Sequence, residues 1–221
     1  MDLKTQLDAL RVKFLSTAPG ADVALVERML EELAQHVRGR CIPGVGDTVP
    51  DFTLSDMRGR SLRLSVKLAQ GPVVLTFYRG AWCPYCNLEL RAYQQRLPRF
   101  SDLGASVIAV SPQTPEASVS MVERNPLDFD VLSDSSSRVA RAYGLAFTFP
   151  EDLKAMYLRR AIQLPEFNGI DDWTVPIPAT FVIAGDGQVV LSHVDADYRN
   201  RLDPDHVLAA LERLGAGVLG S

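Results

Sequence analysis

Two hydrophobic rhythms divide the chain. Leu3, Leu7, Leu10 and Phe14 recur at helical spacing, and Val23, Val26, Leu30, Leu33 and Val37 resume it after the break at Ala18-Pro19-Gly20. They predict amphipathic helices over 2–15 and 22–38, the second stopped by Gly39. After the turn-rich stretch Cys41 to Asp47 the pattern shortens. Residues 51–64 read as two short strands around Arg58-Gly59, and Val73 to Tyr78 as a buried, β-branched strand. The helix that follows carries Leu88, Tyr93 and Leu97 on one side, with Glu89, Arg91 and Gln95 elsewhere. Residues 105–110 predict a second buried strand, about 115–124 a helix, 129–132 a short strand and 135–143 a helix closed by Gly144. Strands alternating with helices imply βαβ units around a parallel sheet core.

Residues 145–176 break that alternation with a helical piece, 152–163, and a polar loop, 165–169. Such an insertion reads either as a lid or binding surface or as a cover for the core edge. A strand entered through Pro176 and Pro178 follows, then the turn Gly185-Asp186-Gly187, a return strand to Val194 and a helix over 204–214. The division expected is an N-terminal helical extension and linker, 1–44, before a domain over 45–221.

At the junction of the 73–78 strand and its helix stands Trp82-Cys83-Pro84-Tyr85-Cys86. Pro84 suits the first helical position, since it has no N–H to satisfy and its φ is already helical. Both thiols then lie at the positive end of the helix, where a thiolate is stabilised and its pKa falls from about 8.5 to roughly 3.5–7.5. The spacing lets a small disulfide ring close and reopen. In a reducing compartment this context points to a redox pair.

Composition narrows the choice. The 221 residues are 47% apolar and 23% charged, ordinary for one globular domain or one with an extension. A net charge of −4 and a pI near 5.4 speak against nucleic-acid or anionic-membrane partners. Charges run through the first fifteen residues, so neither an export signal nor a membrane span is expected, and the expected location is cytoplasmic. Three cysteines are too few for a disulfide framework. Cys83 and Cys86 are at most half a zinc site, completed only if His36 and Cys41 fold across them; no metal and no cofactor is expected. Cys41 reads as inert, His36, His193 and His206 as non-catalytic, and Arg199 and Arg201 as surface or ion-paired rather than substrate-binding.

Four stretches together resemble the AhpC/TSA group of peroxiredoxin-like proteins, within the thioredoxin-fold superfamily. They are Gly46 to Leu54, Phe77 to Cys86, Pro178 to Ile183 with Asp186-Gly187, and Asp197-Tyr198 with Arg201; the likeness covers roughly 45–215. The resemblance implies an α/β, thioredoxin-like fold with a central mixed sheet flanked by helices. It also implies a thiol-dependent enzyme reducing peroxides, recharged by a thioredoxin-like or low-molecular-weight thiol. The catalytic corner departs from the family. Counting back from Cys86 puts Cys83 where peroxiredoxins hold Thr or Ser and Arg79 where they hold Pro. Pro178 stands where they hold Arg and where thioredoxins hold a cis-proline. Two registers follow. In one, Cys86 attacks a peroxide, Cys83 closes the disulfide and Arg79 replaces the absent family Arg. In the other, Cys83 attacks a substrate disulfide, Cys86 resolves it, Trp82 shields the site and Pro178 holds the backbone against the sulfurs. A redox sensor without turnover is a third reading. The N-terminal helices make a second copy of the chain a candidate partner.

Overall fold

The computed structural model describes residues 2–118 and 126–218. Strand β3 (Val73–Phe77) is buried throughout, as its run of Val-Val-Leu-Thr-Phe requires. It pairs in parallel with β4 (Ser106–Ser111) and antiparallel with β8 (Ala179–Ile183). Around these three, β1 (Thr53–Asp56), β2 (Ser61–Arg63), β5 (Asp130–Ser133) and β9 (Val189–Val194) complete a seven-stranded mixed sheet, ordered β2-β1-β5-β4-β3-β8-β9. The parallel core is β3, β4 and β5; β1, β2, β8 and β9 run antiparallel to their neighbours. Helix α4 (Pro84–Asp102) carries Cys86, Glu89, Leu90 and Tyr93 on its buried face, and α8 (Pro204–Val218) packs beside it. This is the thioredoxin-type arrangement implied by the family likeness.

Helices α1 (Leu3–Thr17) and α2 (Gly20–Val37) are joined by Ala18-Pro19, which no helix continues through. Leu3 and Leu7 of α1 pack in one cluster with Tyr78, Ala81, Cys83, Tyr85 and Cys86. Buried Asp22 of α2 accepts from Arg159 and Arg160 at 2.7 and 3.0 Å, and Glu27 accepts from Arg199 at 2.6 Å. The hairpin therefore lies over the edge of the sheet where the cysteines sit.

The segment read as an insertion folds as β6 (Ala146–Thr148), α6 (Glu151–Arg159), α7 (Leu164–Asn168) and β7 (Thr174–Pro176), with β6 and β7 closing a two-stranded sheet. The polar loop expected at 165–169 is mostly α7: Leu164 and Asn168 are buried and anchor it. The helix expected over 152–163 ends at Arg159 because Ala161 turns into the left-handed region, φ 55°. The helix expected over 135–143 is the shorter α5 (Arg138–Ala142), whose first turn is held by Asp134 through the Val139 and Ala140 N–H groups. A short helix α3 (Leu64–Leu68) buries Leu64 and Leu68 where no helix was read. Of the helix expected at 115–124, residues 115–118 are helical and 119–125 lie outside the described residues. No helix among the described residues is long and apolar enough to cross a membrane.

Candidate active site

The site forms where β3 and β4 end, the usual binding edge of a parallel core. β3 hands over at Tyr78, whose N–H still reaches Val110, and the chain turns through Arg79-Gly80-Ala81-Trp82 into Cys83, the N-cap of α4. Gly80 has φ 145°, and a Cβ there would lie 2.5 Å from Trp82 Nε1, so glycine is required at this turn. Gln113, from the loop after β4, accepts the Ala81 N–H at 2.6 Å. Asn87 Nδ2 donates to the Ala81 and Cys83 carbonyls at 2.8 and 2.9 Å. The turn is thus pinned from both sides and the cysteines are preorganised.

The two cysteines are not joined in a disulfide, and both are buried: Cys83 is 1% and Cys86 0% exposed. Cys86 Sγ accepts the Arg79 backbone N–H at 3.4 Å and Arg201 Nη2 at 3.4 Å. Burial alone would raise the Cys83 thiol, but a hydrogen bond from Cys86 and the charges of Arg79 and Arg201 outweigh it and bring it down to about 6. Burial pushes Cys86 well above the ordinary thiol value, and its hydrogen bond with Cys83 and that neighbour's charge add to the rise. Near neutrality the pair therefore shares a single proton and carries one negative charge.

Arg201 is the residue the sequence undervalued. Its side chain is 1% exposed, donates to Glu89 Oε2 at 2.5 Å and to the Tyr198 carbonyl at 2.7 Å, and presents its remaining nitrogen to Cys86. It is ion-paired, as read, but buried against a sulfur. Glu89, set apart from the apolar side of its helix in the sequence reading, lies on the buried face, three residues from Cys86 and four from Tyr93. Burial raises its carboxyl to about 7, against the pull of Arg201. Arg199 is also buried and ion-paired, to Asp197 and Glu27.

Arg79 contributes its backbone N–H to Cys86, and its guanidinium lies among aromatic rings. Nη2 donates to Tyr157 OH at 2.9 Å, and the group stacks 4.1 Å from the Tyr198 ring centroid and 4.9 Å from that of Trp82. Trp82 meets Tyr157 edge to face at 5.6 Å. Tyr157 and Phe149 come from the 145–176 segment, which thereby walls the site. Pro178 is buried at the register position beside Ala179, which pairs with Phe77 at the end of β3. The backbone holds no cis peptide among the described residues, so Pro178 lacks the cis geometry of the thioredoxin register. Cys41 is exposed. Among the described residues no three His, Cys, Asp or Glu side chains converge as metal ligands.

The comparisons follow the same lines. The AhpC/TSA family profile matches residues 45–192. Peroxidoxin BcpB of Mycobacterium tuberculosis superposes with a TM-score of 0.60 at 28% identity, covering 78% of this chain and 98% of its own. Chloroplastic peroxiredoxin Q of Sedum lineare is 31% identical over 57% of this chain and 64% of itself. The thiol-disulfide oxidoreductase ResA of Geobacillus thermodenitrificans is 36% identical over 46% of this chain and 58% of itself. With Cys83 and Cys86 in hydrogen-bonding reach, these relatives make the protein a thiol-dependent oxidoreductase of peroxiredoxin-like type. The profile match spans most of the chain, on the matching fold and through the dithiol: the chain belongs to the AhpC/TSA family.

Proposed function

We propose that the protein reduces peroxides, with Cys86 as the attacking sulfur and Cys83 as the resolving one. The observation that carries this is the burial of both sulfurs behind Trp82, Tyr157 and Tyr198, with two cationic groups inside. A hydroperoxide is small enough to enter such a site; a disulfide held in a folded protein is not. The peroxiredoxin relatives support the same substrate class.

The cycle balances without a cofactor. A proton passes from Cys86 to Cys83 across their hydrogen bond, leaving the anion on Cys86 under Arg201 and the Arg79 N–H. The thiolate attacks the peroxide, an S–O bond forms and the O–O bond breaks. The leaving oxygen takes the proton from Cys83, which supplies the donor that the family's Thr or Ser hydroxyl would give. The Cys83 thiolate then attacks the sulfenic sulfur of Cys86, the disulfide closes, and hydroxide leaves as water after taking up a solvent proton. Arg201 and the Arg79 N–H are fixed before reaction, so they stabilise the developing charge without reorganising. A low-molecular-weight dithiol, small enough for the same entry, returns the disulfide to two thiols.

One observation favours the other register: Cys83 is the helix cap and the more acidic thiol. In that reading it exchanges directly with a disulfide, as the name of the ResA relative describes. The two readings separate in one assay. Hydrogen peroxide consumption under a dithiol supply is measured beside reduction of insulin by the same protein. Peroxide turnover with insulin left intact is expected; insulin reduced rapidly and peroxide ignored would reverse the assignment.

A further inference from the structure

Two buried guanidinium groups, Arg79 and Arg201, meet at the dithiol, and one has no carboxylate partner. Arg201 is paired with Glu89, and nearby Arg199 with Asp197 and Glu27. Arg79 is 3% exposed, and its side-chain contacts are the Tyr157 hydroxyl and the faces of Trp82, Phe149, Tyr157 and Tyr198. Among the described residues no carboxylate is ion-paired with it, and its Nη1 is buried without an acceptor. Aromatic faces and a neutral phenol attract a guanidinium but leave its formal charge uncancelled. The dithiol lies in one buried cluster with the Trp82 and Tyr198 rings that carry the Arg79 guanidinium, and its anion is the counter-charge within that cluster. When Cys83 and Cys86 join as a disulfide, that anion is gone and a buried cation remains, an arrangement that is costly unless a counter-charge enters.

Two further donors stand beside it. Trp82 Nε1 and Gln113 Nε2 are buried without acceptors, and Gln113 Oε1 is already committed to the Ala81 N–H at 2.6 Å. Gly80 lies between them: a Cβ there would sit 2.5 Å from Trp82 Nε1 and 3.3 Å from Gln113 Cδ. One guanidinium nitrogen and two neutral N–H groups, with no acceptor among them, form a donor set suited to one small oxyanion.

We propose that Arg79 Nη1, Trp82 Nε1 and Gln113 Nε2 bind one carboxylate, filled in the disulfide state and vacated when the thiolate returns. This rests on the dithiol cycle above and extends it to the reductant. A low-molecular-weight thiol that carries a carboxylate brings its own counter-ion to Arg79. In reduction, one such thiolate attacks the Cys83–Cys86 bond and forms a mixed disulfide. A second displaces the protein sulfur; the two reductant sulfurs leave joined, two electrons pass to the protein, and protons return to its thiols.

The test uses the full chain, oxidised with diamide so that no peroxide activity is needed. A Trp173→Phe background leaves Trp82 as the single indole reporter. Acetate, titrated at constant ionic strength, is expected to change Trp82 fluorescence in the oxidised protein and to bind the reduced protein at least tenfold more weakly. By linkage, saturating acetate then lowers the dithiol midpoint potential by about 30 mV per tenfold preference. Gln113→Glu keeps an oxygen for the Ala81 N–H and supplies an internal carboxylate, so the acetate response is expected to disappear. Mercaptopropionate is expected to reduce the disulfide faster than mercaptoethanol at equal thiolate concentration, with acetate competing. Acetate binding without that thiol preference supports the site and assigns it to free anions. Equal acetate binding in both redox states, or none in either, overturns the proposal. A protein inert to peroxide would remove the peroxidase reading and leave these results unaffected.

Discussion

A Cys86→Ser protein is expected to consume no hydrogen peroxide beyond the background of its dithiol supply, while Cys83→Ser, reduced and then freed of dithiol, still breaks one equivalent and stops at the sulfenic acid. Serine is close to cysteine in size, so the buried cluster around Tyr78, Tyr85 and Leu90 is retained. Its hydroxyl does not ionise near neutrality, so the position under Arg201 and the Arg79 N–H carries no nucleophile. Cys83→Ser keeps that nucleophile and a donor, now a hydroxyl, at the place where the family holds Thr or Ser. It lacks the sulfur that closes the disulfide, so a sulfenic-acid-trapping dione should mark Cys86, read by mass. The opposite pattern, with Cys83→Ser dead and Cys86→Ser accumulating a mixed disulfide through Cys83, would assign the attack to the helix-cap thiol.

Replacing Arg201 is expected to have the next largest effect, on rate and stability together. Arg201→Met keeps an unbranched stem and removes a donor from the reacting sulfur, and losses of this kind cost about 10²–10³-fold in rate. It also strands Glu89, whose side chain is 2% exposed. Breaking a buried ion pair from one side costs about 3–5 kcal/mol, although here the carboxyl limits the loss by protonating. The double variant Arg201→Met/Glu89→Leu separates the two effects: denaturant midpoints should return toward wild type while peroxide consumption stays low. Recovery of both would make the pair purely structural. The pair also sets a pH signature. Glu89 keeps its proton to about 7 when folded against an ordinary 4.5. Between those values the folded state binds more protons than the unfolded, so this contribution is complete below 4.5 and is lost as pH rises through 7. Wild type should lose stability across that window relative to the double variant.

The scaffold was legible because its signals are local. The Val73–Phe77 run, the Cys83-Pro84 helix start and the Gly185-Asp186-Gly187 turn each act within a few residues. Cys83, Cys86, Arg79 and Trp82 stood out through that junction, and the structure gathers all four there. The pairing of Glu89 with Arg201, and its burial, were missed for a physical reason. A buried ion pair has no period, and its members are 112 residues apart. The usable signal was position: Glu89 falls one turn beyond Cys86, on the stripe that continues to Tyr93. Gln113 sits in a polar turn that reads as punctuation, and Phe149 and Tyr157 in a segment whose lid and cover readings looked alike. The short elements α3, β6 and β7 are set by tertiary contacts, as in the Thr148–Thr174 hydroxyl pair, rather than by propensity.

The account stands on one sulfur of a buried pair being ionised by the groups around it. Thiolate ultraviolet absorbance of the reduced protein, followed from acid to alkaline pH against a Cys83→Ser/Cys86→Ser blank, measures this without any reagent entering the site. One thiolate per chain should appear with a midpoint near 6, and the second only well above the ordinary range. Two thiols rising together at the free-cysteine value, about 8.5, would contradict it.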